Sequence, residues 1–236
     1  MNKQIPIRQH LILNSVLFVN SIFHTIQGEG PFAGSPSVFV RLMGCNLQCP
    51  SCDTEYTSGA AWEVGHIVNR VRECWLDPIG WRRPLVVITG GEPFRQDISR
   101  LVSMLIDNGF KVQIETNGTL FVNLGWSMAS PHLTIVCSPK TGKVNKDLLQ
   151  HIDAFKYVVH ADSVDFDDGL PILALDHTAS PRVARPPQFF DGDIFIQPID
   201  VKDEAENKRH LAAAMSSALR FGYRLCLQMH KIIGVE

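Results

Sequence analysis

The chain is organised around residues 44–54, which read GCNLQCPSCDT and directly follow an apolar, strand-like run. Cys45, Cys49 and Cys52 stand at x3 and x2 spacing on what the pattern predicts to be one short loop. Thiolate is a soft ligand that suits iron, and three thiolates on one loop can hold three corners of a cubane iron–sulfur cluster. The next cysteine is Cys74, so no fourth ligand follows at short range. We therefore expect a cluster with one iron open to another ligand.

A zinc site and a chance grouping of core cysteines are the alternatives to a cluster. A structural zinc site normally takes four closed ligands, and no second C-x2-C or H-x3-H pair occurs later in the chain. Buried core cysteines, for their part, seldom share one polar loop that contains a proline. A cluster is favoured over both.

Composition limits the class of protein and its partners. The chain has 236 residues, 45% hydrophobic and 19% charged, which suits one globular domain with a substantial core. Its 22 Lys and Arg against 24 Asp and Glu give a net charge of −2, and no basic cluster occurs. We therefore expect neither nucleic acid nor an anionic membrane as a partner.

The remaining cysteines and the N-terminal region indicate the compartment. Cys74, Cys137 and Cys226 are isolated, which is not a disulfide pattern and favours a reducing cytoplasm. Residues 9–28 carry no Asp, Glu, Lys or Arg, but polar residues interrupt the apolar run. These interruptions argue against both a signal peptide and a membrane span. We expect an N-terminal extension over residues 1–19 and a single domain over residues 20–236.

Strand-like and helix-like segments alternate along the chain. This alternation predicts βαβ units and a parallel sheet, hence an α/β fold. Polar or glycine-containing motifs follow the strands, and in such sheets ligands bind at the carboxyl edge of the strands. The expected strands are residues 20–26, 37–43, 85–88, 111–114, 133–137, 155–159, 194–196 and 224–228, and the expected helices are residues 62–75, 98–106, 144–152 and 204–221.

Six motifs, read together, resemble those of the 7-carboxy-7-deazaguanine synthase family of radical S-adenosylmethionine (radical SAM) enzymes, over roughly residues 20–234. The three cysteines alone would indicate only the superfamily, whereas Gln-Gly-Glu-Gly and Cys-Asp-Thr narrow the resemblance to the family. The resemblance implies a partial, open parallel β/α barrel of the radical SAM type, with a modified β6/α3-like arrangement. The motifs are HTIQGEG (24–30), the cysteine loop with Asp53 and Thr54, TGGEP (89–93), ETNG (115–118), SPK (138–140) and QP (197–198).

The resemblance implies three bound groups. Cys45, Cys49 and Cys52 would hold a [4Fe–4S] cluster, and the hydroxyl of Thr54 would bind Mg²⁺. Helix capping is the alternative role of Thr54, and an ordinary turn is the alternative for the Gly-Gly pair. The expected S-adenosylmethionine contacts are Ser51, Cys52, Asp53, Gly91, Ser138, Pro139, Lys140, Gln197, Pro198, Ile199 and Asp200.

The implied substrate is 6-carboxy-5,6,7,8-tetrahydropterin. Arg41 lies in an otherwise apolar strand, where a buried arginine needs an anionic partner, either the substrate carboxylate or a structural glutamate. Gln27 can donate to and accept from a pterin edge, or serve as a loop glutamine. Glu29 and Glu115 orient loops or ligands, or lie at a solvated rim. The expected substrate contacts are Ile26, Gln27, Gly28, Arg41, Thr89 and Glu236.

The implied reaction is a radical ring contraction. A deoxyadenosyl radical would remove hydrogen from C6 of the pterin, and rearrangement with loss of ammonia would give 7-carboxy-7-deazaguanine. A flavodoxin-like or other one-electron donor and a homodimer are also implied. An activase that makes glycyl radicals, and a zinc-stabilised interaction module without catalysis, are the competing functions.

The chain departs at two positions from the pattern of the family that it resembles. Many radical SAM enzymes have an aromatic residue directly before the last cluster cysteine, and this chain has Ser51. At the C-terminal end, Glu236 would bring a negative side chain near an anionic substrate.

Overall fold

The computed structural model describes residues 2–11, 15–75, 84–176 and 182–235 of the chain. In these residues, the helices are α1 (Val64–Cys74), α2 (Ser99–Asp107), α3 (Glu204–Phe221) and the short α4 (Met229–Ile233). The strands are β1 (Val16–Ile26), β2 (Pro36–Leu42), β3 (Ala60–Glu63), β4 (Leu85–Gly90), β5 (Lys111–Thr116), β6 (Leu133–Cys137), β7 (Ala154–Val159), β8 (Asp193–Pro198) and β9 (Arg224–Leu225).

All of these strands form one sheet in the order β3-β1-β2-β4-β5-β6-β7-β8-β9. From β2 to β9 every neighbouring pair is parallel, whereas β1 is antiparallel to both β2 and β3. The two edge strands, β3 and β9, are not paired with each other, so the sheet is open. The predicted α/β class, with an open parallel sheet, is confirmed.

Helices cover the sheet where the sequence pattern places apolar faces. In α1 the buried residues Val64, Ile67, Val68 and Val71 recur at helical spacing, and α2 buries a similar set. Residues 85–88 of β4 are all buried, as expected for a parallel strand covered on both faces. These side chains belong to the main hydrophobic core.

One expected helix is much shorter in the structure. The helix expected at residues 144–152 is only a 3-10 turn, Leu149–His151. The backbone carbonyl of Asn145 accepts from Leu148 N, and its side chain accepts from Asp147 N. Such local hydrogen bonds compete with a regular helix.

The other differences lie at element ends. β1 begins at Val16, before the expected residue 20, and the start of the expected helix 62–75 is β3. The last strand ends at Leu225, and residues 229–233 form α4 instead. None of the helices in the described part of the chain has the length and apolar character that a bilayer span requires.

Candidate active site

A cavity of about 540 Å³ lies at the edge where the parallel strands end. The predicted motifs therefore converge as a parallel sheet requires. Of the predicted site residues, those that line the cavity are Ile26, Gln27, Arg41, Ser51, Cys52, Asp53, Thr54, Thr89, Gly91, Ser138, Lys140, Gln197, Ile199 and Asp200. Cys45, Cys49, Gly28, Pro139 and Pro198 are not part of the lining, and Glu236 lies outside the described residues.

The cysteine loop carries three free thiols, of which Cys45 and Cys49 are buried and Cys52 is half-buried. Burial, together with the charges of Glu92 and the neighbouring cysteines, raises the pKa of Cys45 to about 12, and burial raises that of Cys49 to about 11. Holding three thiolates here is therefore unfavourable unless a cation compensates them. Iron in a cluster supplies that charge, so the donor set fits the predicted cofactor.

Among the residues that the structure describes, no three His, Cys, Asp or Glu side chains are arranged to hold a single metal ion. In a [4Fe–4S] cluster the three cysteines would each bind a different iron, so these ligands need not converge on one point. The assignment of Cys45, Cys49 and Cys52 remains a prediction.

Two glycines at the end of β4 allow the cysteine loop to pack there. A Cβ at Gly91 would overlap the carbonyl oxygen of Gly44, and one at Gly90 would overlap backbone atoms of Leu42. Gly90 also has a φ of +127°, a conformation that favours glycine. Gly91 therefore packs closely against the cysteine loop and Gly90 against the end of β2, and Gly91 still lines the cavity.

Ser51 is held by the connection between β7 and β8. Its N–H donates to the carbonyl of Leu175 at 3.2 Å, and its hydroxyl donates to the carboxylate of Asp176. Leu175 and Asp176 have φ values of +50° and +56°, a left-handed corner that is unusual outside glycine. With Val158 and Ile199, Leu175 gives the cavity an apolar wall beside Ser51.

A buried ion pair forms part of the cavity. Lys156 Nζ donates to Glu29 Oε2, and Gln228 Nε2 donates to Glu29 Oε1 at 2.9 Å. Gln197 Nε2 lies 3.3 Å from the same Oε1. Burial alone would raise the pKa of Glu29, but the ammonium of Lys156 and these hydrogen bonds lower it to about 2. Burial would lower the pKa of Lys156, and Glu115 and Glu29 raise it above its usual value.

Sequence reasoning missed Lys156. It interrupts the apolar strand AFKYVV just as Arg41 interrupts β2, so the same argument predicts a buried cation with an anionic partner. The partner could not be identified from the sequence, because Glu29 lies far away along the chain.

Glu115 organises the predicted substrate contacts. Gln27 Nε2 donates to Glu115 Oε1 at 3.0 Å, as does Gln113 Nε2 at 2.9 Å. The hydroxyl of Thr89 lies 3.3 Å from Oε2. Glu115 therefore orients Gln27 and Thr89, which line the cavity, and does not lie at a solvated rim.

Arg41 lies beside an aromatic pair in another part of the cavity lining. Its guanidinium carbon is 5.2 Å from the centroid of the Phe23 ring, which stacks on Phe39 at 5.5 Å. All three residues line the cavity. This wall joins a cation to flat apolar faces, a combination suited to a planar anionic ligand.

Glu92 supports the loop after β5, a role that the sequence did not indicate. Its carboxylate accepts from Asn117 N and Thr116 Oγ1, both at 2.7 Å, and from Phe94 N at 3.0 Å. Burial raises the pKa of Glu92 to about 7 although these donors act in the opposite direction.

The C-terminal helix α4 closes one side of the cavity. Lys231 Nζ lies 3.2 Å from Asp53 Oδ2 and 3.1 Å from Asp200 Oδ2, so it joins two residues predicted to bind S-adenosylmethionine. His230 packs against Gly28, where a Cβ would overlap its Nδ1. Gln228, His230 and Lys231 line the cavity and were not predicted, because a strand was expected up to residue 228.

Several known proteins that are similar to this chain belong to one enzyme family. A 7-carboxy-7-deazaguanine synthase of Rhodospirillum rubrum is 46% identical over 229 residues, covering 93% of this chain and 92% of the relative. That of Rickettsia prowazekii is 41% identical over 226 residues, covering 93% and 89%. The crystal structure of QueE from Escherichia coli matches with a TM-score of 0.65 at 27% identity, covering 90% of this chain and 94% of that one. No family model matches the chain.

Proposed function

Because the chain belongs to the 7-carboxy-7-deazaguanine synthase family, we propose that it converts 6-carboxy-5,6,7,8-tetrahydropterin into 7-carboxy-7-deazaguanine with loss of ammonia. It is an enzyme of 7-deazapurine biosynthesis. The observation that supports this substrate and reaction most directly is the convergence of the cysteine loop, two ordered carboxylates and Arg41 on one cavity.

We propose that Cys45, Cys49 and Cys52 hold a [4Fe–4S] cluster and that the adjoining part of the cavity binds S-adenosylmethionine. When bound, these two groups supply one-electron chemistry that produces a hydrogen-abstracting carbon radical. The residues that would position S-adenosylmethionine are Ser51, Cys52, Asp53, Gly91, Ser138, Pro139, Lys140, Gln197, Pro198, Ile199 and Asp200. Lys140 Nζ donates to the backbone carbonyl of Ser138 at 3.0 Å, which fixes its ammonium near the cysteine loop.

The chain's own contribution is to bind and orient the pterin. Arg41 would pair with the substrate carboxylate, and the stacked Phe23 and Phe39 would give the ring an apolar surface. Gln27 presents an amide whose orientation is fixed, because its Nε2 donates to Glu115 and its Oε1 accepts from Glu29 N at 3.1 Å. Such preorganised groups lower the cost of holding a reactive geometry. Ile26, Gly28, Thr89 and Glu236 complete the proposed substrate contacts.

Thr54 is the proposed protein ligand of Mg²⁺. It lines the cavity on the cysteine loop, and its hydroxyl is 3.5 Å from Asp53 Oδ1. Mg²⁺ keeps several waters and often binds largely through its substrate, so one hydroxyl and a substrate carboxylate suit it. The ion would orient the carboxylate during the rearrangement.

The test is a reconstitution with product analysis. Protein prepared without oxygen and supplied with iron and sulfide is incubated with reductant, S-adenosylmethionine, Mg²⁺ and the carboxytetrahydropterin. Mass spectrometry should find 7-carboxy-7-deazaguanine and 5′-deoxyadenosine together. Cys49→Ala should lose both products, and the control Cys74→Ser, which changes a cysteine on α1 outside the loop, should keep them. Bound zinc without iron would instead support an interaction module.

Family membership also supports a homodimer and a one-electron donor of the flavodoxin type. Light scattering on the reconstituted protein should give twice the mass of one chain. A reduced flavodoxin should replace the chemical reductant in the assay, and failure of every protein donor would remove this part of the proposal.

A further inference from the structure

The N-terminal segment, residues 2–10, lies against the cysteine loop, although its sequence suggested no role. Asn2 and Gln4 are half-buried, while Lys3 and Ile5 beside them are exposed. This alternation is that of an extended chain with one face against a surface. The segment is fastened further along, where Ile7 N donates to Cys45 O at 2.7 Å.

Gln4 bridges the backbone on both sides of Glu55. Its Nε2 donates to the carbonyl of Thr54 at 2.8 Å, and its Oε1 accepts from Tyr56 N at 2.7 Å. One side-chain amide therefore satisfies two backbone groups next to the proposed Mg²⁺ ligand. A loop without regular secondary structure needs partners of this kind for its backbone.

Asn2 ties the other end of the same loop. Its N–H donates to Pro50 O at 2.8 Å, and its Nδ2 donates to Cys49 O at 3.2 Å. The same Nδ2 lies 3.3 Å from the hydroxyl of the buried Tyr56. Asn2 Oδ1 accepts from Gln4 N at 2.9 Å, so the two residues act as one unit.

We infer that Asn2 and Gln4 form a polar clip that positions the cysteine loop, fixing Cys49 relative to Thr54. This inference rests on the proposed function, because it assigns the clip to the loop that holds the cluster and Mg²⁺. Cys52 lies between the two tied points, so loosening the clip changes the geometry of both sites. Asn2 and Gln4 are positioning residues, since they contact the loop and are not part of the cavity lining.

Gln4→Met tests the clip, because it keeps the side-chain length and removes the hydrogen bonds of the amide to Thr54 O, Tyr56 N and Asn2 Oδ1. Gln9→Met is the matched control: Gln9 is on the same segment, and its Nε2 donates to Phe94 O at 2.9 Å and Phe121 O at 3.0 Å, away from the loop. Loss of these hydrogen bonds, each of ordinary net strength, predicts that Gln4→Met raises the Mg²⁺ concentration for half-maximal product formation on the order of fivefold. Iron loss to a chelator should accelerate in the same variant. Gln9→Met should match the wild type in both measurements.

A third measurement separates the clip from the cofactors. Gln4→Met should accelerate hydrogen exchange at the Tyr56 amide on the order of tenfold, and Gln9→Met should leave it unchanged. Gln4→Glu keeps the acceptor for Tyr56 N and loses the donor to Thr54 O, so it should shift the Mg²⁺ response with little change in Tyr56 exchange. If Gln4→Met does not fold, the Mg²⁺ response of Gln4→Glu serves as the test of the clip instead.

The outcomes are distinguishable. A wild-type protein that takes up no iron contradicts the proposed function, and the Tyr56 exchange then still judges the clip. Unchanged Tyr56 exchange in Gln4→Met overturns the clip. So does a Gln4→Met protein that equals Gln9→Met in Mg²⁺ response and iron loss.

Discussion

Single residues in the cavity are held by buried charges that depend on one another. Lys156 and Glu29 are both withdrawn from water and are paired, with side chains 9% and 14% exposed. A buried pair is costly to assemble, yet removing one partner leaves the other charge without compensation. Since Glu29 also binds Gln197 and Gln228, the pair fixes the position of side chains from two further elements.

Lys156→Met should therefore destabilise the protein by about 3–5 kcal/mol at neutral pH, because it leaves the carboxylate of Glu29 buried without its cation. In the wild type the pKa of Glu29 is lowered to about 2, so its stabilising contribution is present above the usual carboxyl pKa and is lost as pH falls towards 2. In the variant, burial would raise that pKa, and stability should instead fall as pH rises from 5 to 8. Urea unfolding of the wild type and the variant from pH 2 to pH 8 measures both effects.

The double variant Glu29→Gln/Lys156→Met is the control for this reasoning. It removes both charges, so it should recover much of the lost stability and show no pH slope from this site. A double variant as unstable as Lys156→Met would mean that the charge of Glu29 does not account for the loss, and that packing of the lysine stem or the charge of Glu115 does.

Thr54→Ala should weaken the response of the reaction to Mg²⁺ and leave the iron content unchanged, because it removes one hydroxyl and no cysteine. Thr57→Ala is the comparison. Thr57 is an exposed neighbour that is not part of the cavity lining, and its hydroxyl donates to Glu55. Product formation is measured across a Mg²⁺ titration. An equal response in the wild type and Thr54→Ala would refute the assignment.

For single residues, the sequence identified members of the site better than it identified their hydrogen-bond and ion-pair partners. Arg41 could be selected because a cation in an apolar strand is costly without an anion, and Lys156 carried the same signal. The roles of Glu29 and Glu115 could not be decided, because most of the side chains that hydrogen-bond to them lie far away in the sequence. Gln27, for example, is ordered by Glu115, 88 positions away.

Among the elements, α4 depends on a loop from the opposite end of the chain. Met229 N donates to Gly28 O at 3.2 Å, and the imidazole of His230 occupies the space beside the Gly28 Cα. Gly28 is thus the docking point of the helix, while its predicted contact with the substrate stays a prediction.

Gly28→Ala should displace α4, because its Cβ would overlap His230. Cleavage by trypsin at Lys231, followed by mass spectrometry, should accelerate on the order of tenfold as the helix loses this contact. Gly65→Ala is the control, since a Cβ there meets nothing within 4 Å on α1, and alanine favours a helix. Equal cleavage of the two variants would show that α4 is held without this contact.

The elements that were predicted well carry their own boundary signals. α3 begins after Asp203, whose side chain accepts from Glu206 N, and ends at Gly222 with a φ of +76°. α4 has no buried residue, so no apolar periodicity announced it. Its position depends on tertiary contacts, which no local pattern records.

Across the whole molecule, the site joins residues that are distant in the sequence. The hydrogen bond from Gln228 to Glu29 spans 199 positions, and the one from Lys156 to Glu29 spans 127. The parallel direction of most strands could be inferred from the alternating segments, because such connections obey few topologies. Which side chains meet across the open edge of the sheet follows only from its twist and register.

The distribution of buried residues predicts the order in which the molecule opens. Strands β2, β4 and β5 contribute fully buried side chains to the main core. By contrast, no residue of β9 or α4 is buried. Amides of β4 and β5 should therefore exchange hydrogen only on global unfolding, and those of α4 should exchange through a local opening at least about 100-fold faster. Native-state hydrogen exchange read by mass spectrometry measures the difference. Equal protection of α4 and β4 would mean that the cavity edge unfolds together with the core, and that α4 cannot move independently of the sheet.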